Sequence, residues 1–441
     1  MEEHESDIEN KIDLDPLRSK LTNNSYKNMK ITRTYIGKTE SHTLSIDFSS
    51  NGLHCITSVN NSTMQLFDCV SGKRKRIIPS LKYGCNLAVF SFERDKIIHA
   101  STKVDDNIRY LSLETNGYVR YFKGHTKKVT SIVCCPWNSV FENGANSYRS
   151  EKTYDNNKKI LGEPKNVNKS KVFASGSKDK TVRLWDIGSP SSIAKILLNN
   201  CDSSYGISVD FDQTGIVFAT ASKSSIDLFD TRMMGKQSFG RFDIKEGIDS
   251  FKSNFSKVHQ PIELLKSKID SKVPIASIKF GYPHGDTILV NMADGSRYIL
   301  DSFRGKILLY LQPNASGNDN EAKDIFEFSK YSGQNTCFTP NGAYVVSGNN
   351  NGSVEMWDIE TPLRKMNCFD CKFMESGQDE GYLYYEKDPD RIPRVVPLTQ
   401  YWQGHLRSPI YALGVNPKYH MGVSSGNDTV RIYTFYLHYN I

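Results

Sequence analysis

An all-β fold, built as a ring of seven four-stranded sheets, is what this 441-residue sequence predicts. Three observations lead there. One strand–turn–strand frame recurs at a fixed period, polar inserted segments account for departures from that period, and the two ends of the pattern can complete one sheet between them. The clearest copy is Val172-Phe-Ala-Ser-Gly-Ser-Lys-Asp-Lys-Thr-Val-Arg-Leu-Trp-Asp186. It is a β-branched alternating run, a small-residue turn from Ser177 to Lys180, and a second alternating run, which is a hairpin signal.

Anchored on the penultimate apolar residue, the copies end at Phe67-Asp68, Leu111-Ser112, Trp185-Asp186, Phe229-Asp230, Leu300-Asp301, Trp357-Asp358 and Tyr433-Thr434. Successive spacings are 44, 74, 44, 71, 57 and 76. The 74 becomes 44 once the 30 residues from Glu142 to Lys171, polar and rich in Asn and Lys, are set aside as an inserted loop. The remaining excesses sit where the apolar pattern lapses. Gly124-His125 precedes the third copy and Gly404-His405 the seventh, with Ser41-His42 in the first. Phe48-Ser-Ser-Asn-Gly52 and Phe338-Thr-Pro-Asn-Gly342 supply the expected turns. A period near 44 closing on Trp-Asp is the mark of a WD-repeat blade. The fold class is therefore all-β, a seven-bladed WD-repeat β-propeller with polar insertions in its loops.

Within the third copy, His125, Ser175, Asp179 and Trp185 fit a buried hydrogen-bond chain. Asp179 accepts from the imidazole, the imidazole reaches Ser175, and the Ser175 hydroxyl meets the indole N–H, which needs an acceptor once buried. The set has the composition of a Ser/His/Asp triad. It is read as a structural tetrad because all its members belong to one blade's interior. Other copies degrade it: Asn61 stands for the aspartate in the first and Lys223 in the fourth.

The seventh copy stops near Phe435, after its third strand, and the alternating segment Met29–Ile36 precedes the first copy. That segment is expected to supply the outer strand of the last blade, closing the ring and removing a sheet edge. The chain is thus read as a loosely held tail over residues 1–27 and one propeller over 28–441, with insertions at about 142–171, 231–272 and 363–402. Within 231–272, Ile262, Leu264, Leu265 and Ile269 could line one face of a short helix, with Pro261 near its start.

Composition excludes other classes. Apolar residues make up 38%, enough for a core, and no run approaches the ~18 apolar residues of a membrane span. The acidic start, Met1-Glu-Glu-His-Glu-Ser, is not a secretory signal. A net charge of +7 over this length does not mark a nucleic-acid binder. Nine scattered cysteines read as free thiols. Cys368 and Cys371 form a C-x-x-C with no second pair at zinc spacing, so no metal and no cofactor are expected. Lys73-Arg-Lys-Arg76 reads as an exposed connection, with a nuclear address or a phosphate contact as the sharper alternative.

The second and third copies go beyond a generic blade. Leu81-Lys-Tyr-Gly84, Ser101-Thr-Lys-Val-Asp-Asp-Asn-Ile-Arg-Tyr-Leu-Ser-Leu113 and Asn116-Gly-Tyr-Val-Arg-Tyr-Phe-Lys-Gly-His125 resemble the WD-repeat subunit of the COMPASS (Set/MLL-type) histone methyltransferase complex. In fungi that subunit also serves the mRNA cleavage and polyadenylation factor, and in animals a nuclear phosphatase complex. The resemblance is close from about Ser41 to Asp230 and thins to the blade frame afterwards. It implies a nuclear, non-catalytic adaptor. Such an adaptor would hold a methyltransferase or a 3′-end-processing subunit and link it to transcribing RNA polymerase II, including the phosphorylated polymerase tail. No membrane and no small-molecule substrate are implied.

Candidate binding residues follow from blade geometry. Lys82-Tyr83 stands where other blades have Gly-His, in the loop entering the second blade, and Lys103 to Asn107 forms that blade's inner hairpin turn. Both emerge on one face of a propeller, so Lys82, Tyr83, Lys103 and Asp106 are expected as neighbours there, with turn capping by Asp105 or Asp106 as the alternative. Three functions are weighed. A scaffold suits a rigid disk with many independent loops. A propeller enzyme needs converging acids, bases or ligands, which are missing, as are nucleophile-elbow and phosphate-cradle motifs. An RNA-binding propeller needs interleaved basic and aromatic residues in one stripe, and these do not occur.

Overall fold

Alternation of apolar and polar residues, broken every five or six positions by Gly, Asn, Asp or Ser, leaves the chain little choice but short antiparallel strands. A computed structural model describes residues 29–37, 41–93, 95–136, 171–198, 206–233, 237–258, 273–281, 285–313, 334–365, 394–405, 408–427 and 429–435. They form seven sheets. Blade 1 comprises Thr43–Phe48, His54–Val59, Thr63–Asp68 and Arg74–Pro79. Blade 2 comprises Asn86–Phe90, Lys96–Ala100, Ile108–Ser112 and Tyr118–Phe122. Blade 3 comprises Val129–Cys134, Val172–Ser177, Thr181–Asp186 and Ser192–Leu197, and blade 4 Ser208–Phe211, Val217–Ser222, Ser225–Asp230 and Gly240–Asp243. Blade 5 comprises Ile275–Phe280, Thr287–Met292, Arg297–Asp301 and Ile307–Leu311, and blade 6 Thr336–Phe338, Tyr344–Gly348, Ser353–Asp358 and Gln400–Gln403. Blade 7 joins Ala412–Val415, Met421–Gly426 and Thr429–Phe435 to Met29–Ile36.

That last pairing closes the ring. Met29–Ile36 runs antiparallel to Thr429–Phe435, with Ile36 opposite Thr429 and Lys30 opposite Thr434. Blade 7 is then tied to blade 1 by Asn416 Nδ2, which donates to the Gly52 carbonyl at 2.7 Å.

The core is distributed rather than central. A four-stranded sheet buries its faces only against neighbours, so each seam between blades carries its own apolar cluster. Seven such clusters occur, one per seam. Phe122, Phe173 and Trp185 fill the seam between blades 2 and 3, and Leu309, Val345 and Trp357 that between blades 5 and 6. Two seams also share a polar clasp on the innermost strand. Ser45 Oγ and Asp47 Oδ2 accept from the Ala88 and Phe90 amides of the next blade at 3.0 and 2.6 Å. Ser208 and Asp210 do the same for Ile278 and Phe280 at 3.1 and 2.7 Å.

The spans read as insertions are not all extra chain. Residues 231–272 contain the outer strand of blade 4 and a helix, Ile244–Val258, whose Ile244, Ile248 and Phe251 pack on Tyr298, Ile307 and Tyr310 of blade 5. The expected helix around Ile262–Ile269 lies outside the described residues. Residues 363–402 contribute Arg394–Val396, a fifth strand added parallel to Ile307–Leu311, and then the outer strand of blade 6. The tail over 1–27, most of 142–171 and the Cys368–Cys371 pair lie outside the described residues. The basic run is expected, from its place after Asp68, to be an exposed connection; it is exposed, but only Lys73 precedes the strand. Arg74, Lys75 and Arg76 form the start of the outer strand of blade 1, where Arg74 pairs with Phe67 and Arg76 with Leu66 and a bulge falls at Lys75.

Candidate functional site

The loops entering each blade and the turns between its second and third strands emerge on the same face, since successive strands are antiparallel. On blade 3 this face carries the tetrad. His125 Nδ1 and Asp179 Oδ2 are 2.9 Å apart, and His125 Nε2 lies 2.8 Å from Ser175 Oγ. The Trp185 indole N–H donates to that hydroxyl at 2.8 Å. Burial lowers the His125 pKa, more than the Asp179 contact raises it. Burial pushes Asp179 up, but hydrogen bonds from Thr181 and His125 hold it below its usual range. Trp185 and Ser175 are fully buried. The Ser175 hydroxyl, fully buried, thus accepts the indole proton and meets the imidazole, so the chain Asp179–His125–Ser175–Trp185 satisfies the buried polar groups of blade 3.

Blade 7 uses a variant. His405 lies 2.8 Å from both Thr429 Oγ1 and Ser424 Oγ, and Tyr433 Oη takes the indole's place at 2.8 Å from Ser424. In blade 6 the Trp357 indole donates instead to the Gln312 carbonyl at 2.8 Å, and the buried Arg297 guanidinium lies 5.1 Å from the indole centroid.

Blade 2 rebuilds the position around a retained turn aspartate. Tyr83 replaces the histidine, His99 the serine, and Leu111 the tryptophan, while Asp105 keeps the turn. The space is filled by Arg109, which is 2% exposed. Its guanidinium grips Asp105 through both carboxylate oxygens at 2.7 and 2.8 Å and lies 3.7 Å from the Tyr83 ring centroid. Tyr121 and Tyr118 stand 5.4 and 6.0 Å from the same cation. The three tyrosines therefore form a cage that the chain's own Arg109 occupies. Burial first, and then Arg109, drives the His99 pKa down to about 4, against the Ala100 carbonyl that favours its proton. Sequence reading missed Arg109 because the frame hides it. The signal was there: Arg109 and Arg183 both stand two residues before the anchor of their copies.

Three of the four candidate binding residues come together. Lys103 Nζ donates to the Leu81 carbonyl at 3.2 Å, and the Thr102 and Lys103 amides both donate to the Tyr83 carbonyl, at 2.9 and 3.1 Å. Lys82 Nζ sits 5.2 Å from the Tyr83 ring. Leu81 and Val104 project into solvent beside them, 67% and 65% exposed. Burial, then Asp105 and Asp179, raises the Asp106 carboxyl, and Asp105 caps the turn by accepting from the Asn107 amide.

An axial cavity of about 430 Å³ runs between the innermost strands. Asp47, Asp210 and Lys279 line it at equivalent positions, each directly before the phenylalanine that ends its strand, and Lys128 and Lys178 line it as well. Burial raises the Asp47 and Asp210 carboxyls to about 6 despite the amide each holds. Burial, then Lys178, lowers the Lys128 ammonium. Among the described residues no group of three or more His, Cys, Asp or Glu is placed to hold a metal ion. No described helix is long and apolar enough to cross a membrane.

Seven blades, seam clusters and a Trp–Ser–His–Asp chain define a WD-repeat β-propeller, and the profile described as "WD domain, G-beta repeat" matches residues 160–186 and 329–358. Among known proteins, the chain is similar to WD repeat-containing protein 82 of Drosophila melanogaster, 28% identical over 352 residues, covering 78% of this chain and 86% of the fly protein. It is similar to Set1 complex component swd2 of Schizosaccharomyces pombe, 27% identical over 73% of this chain and 72% of that protein. It is also similar to COMPASS component SWD2 of Saccharomyces cerevisiae, 27% identical over 71% of this chain and 75% of that protein. The resemblance carried by residues 81–125 thus extends over most of the chain.

Proposed function

We propose that this chain is a non-catalytic scaffold subunit of a nuclear, COMPASS-like histone lysine methyltransferase complex, where it links the methyltransferase to transcribing RNA polymerase II. The observation that carries this reading is its similarity, over about seven-tenths of its length, to two fungal proteins named as Set1 or COMPASS components. The geometry supports it in a second way. The histidines nearest to a triad arrangement, His125 and His405, are committed to blade packing, whereas the loops of blade 2 present a firm, exposed surface. Leu81 and Val104 offer apolar contact, and Lys82 and Lys103 flank them with charge suited to a phosphorylated segment such as the polymerase tail.

Purification of the tagged chain from nuclear extract tests the assignment. A SET-domain methyltransferase should be recovered with it, and recovery of cytoplasmic or membrane partners alone contradicts it. A phosphorylated heptad-repeat peptide should bind more weakly as salt rises and after Lys82→Glu or Lys103→Glu. Binding indifferent to both substitutions removes these residues from the site.

A further inference from the structure

The outer rim where blade 7 meets blade 1 is strongly basic, and it lies where residues 1–28 join the ring. Lys30 and Arg33 on the closing strand and Lys73, Arg74, Lys75 and Arg76 on blade 1 are all exposed. The two strands are locked together. Tyr35 Oη donates to the Gly72 carbonyl, and the Arg33 side chain lies across Gly72, where a Cβ would meet its Cδ and Nε at 3.0 Å. The Arg74 guanidinium lies 5.7 Å from the Tyr35 centroid. Lys75 is paired with Asp68 and Arg76 with the Leu113 carbonyl. Among the described residues, no carboxylate lies within 4.0 Å of Lys30, Arg33, Lys73 or Arg74. Ile31 and Ile77, 40% and 49% exposed, add apolar surface between these charges.

Residues 2–15 carry seven carboxylates against one base, Lys11. The chain enters the ring at Met29, next to Lys30, and at ~3.3 Å per extended residue the 13 residues between 15 and 29 have a reach of ~43 Å. We propose that this rim is a docking surface for the chain's own acidic segment, residues 2–15. Six exposed bases meet a segment of net charge −6. Each surface pair alone is weak, but tethering holds the segment at millimolar effective concentration, so the pairs act together. Docked, the segment shields the patch from external polyanions. This inference is independent of the partner reading above.

Zero-length carbodiimide crosslinking of the full chain, read by mass spectrometry, tests it. Crosslinks from the carboxylates of residues 2–15 should concentrate on Lys30, Lys73 and Lys75, and should fade at high salt. Arg33→Glu combined with Arg74→Glu, which leaves every crosslinkable lysine in place, should lower those yields by about fivefold or more. Lys195→Glu, on the outer strand of blade 3, should leave them unchanged. Crosslinks scattered over lysines of all blades, or yields at the rim unaffected by the arginine pair, overturn the proposal.

Discussion

The buried Ser175 of blade 3 accepts from an indole and meets an imidazole that Asp179 holds from its other side. Trp185→Phe keeps an aromatic ring in the seam but removes the indole donor from Ser175 Oγ, which retains only His125. It should lower unfolding free energy by ~1–2 kcal/mol in denaturant titrations while partner binding is kept. A stable variant that no longer binds would assign Trp185 to function instead. Buried histidines also set a pH signature. His99 and His405 have pKa values near 4 in the fold against 6.5 outside it. The unfolded chain therefore takes up their protons first, and their stabilisation, full above pH 6.5, is lost as pH falls toward 4. Asp47 and Asp210, raised to about 6 from 3.8, act in the opposite sense and stabilise the fold as pH falls through that window. His99→Gln should gain on the parent by up to about 3 kcal/mol between neutral pH and pH 4, read as the difference of denaturant midpoints. A constant difference across that range would show His99 to be solvated. At this scale the tetrad was legible because His125, Ser175, Asp179 and Trp185 keep the family spacing. The Tyr83–Arg109–Asp105 stack was not, because all but the aspartate of blade 2's tetrad positions had changed and the arginine fills space rather than matching a motif.

Strands place these residues, and the seams hold the strands. The clasp of Ser208 and Asp210 on the Ile278 and Phe280 amides couples two neighbouring inner strands that share no ladder. Asp210→Asn retains an oxygen acceptor and removes a buried charge, so it should be neutral or stabilising at pH 7. Asp210→Ala leaves the Phe280 N–H without its partner and should cost about 1–3 kcal/mol. Equal thermal midpoints for the two variants would show the clasp to be idle. The closing strand Met29–Ile36 was legible from alternation and from a seventh copy one strand short. The helix Ile244–Val258 and the added strand Arg394–Val396 were not. Both fall in stretches where the 44-residue period lapses, and a helix with apolar residues at 244, 248 and 251 is visible only once the outer strand of blade 4 is placed before it. A three-residue strand pairing parallel to a strand 85 residues earlier leaves no local pattern at all.

The whole molecule is a ring whose rigidity comes from seven similar seams and whose specificity lies in loops that differ from blade to blade. That division suits a scaffold: no blade can move far without opening two apolar clusters, while the faces and rim remain free to present charge. The blade 2 face and the blade 7–blade 1 rim are chemically distinct, one mixing exposed aliphatics with two lysines, the other dominated by bases. The most direct measurement is a single-particle reconstruction of the complex isolated through this chain. It should show a closed seven-sector disk with a SET-domain methyltransferase subunit in the same particle and density against the Leu81–Lys82 and Lys103–Val104 loops. An open arc, six or eight sectors, or particles that never contain a methyltransferase would contradict the account.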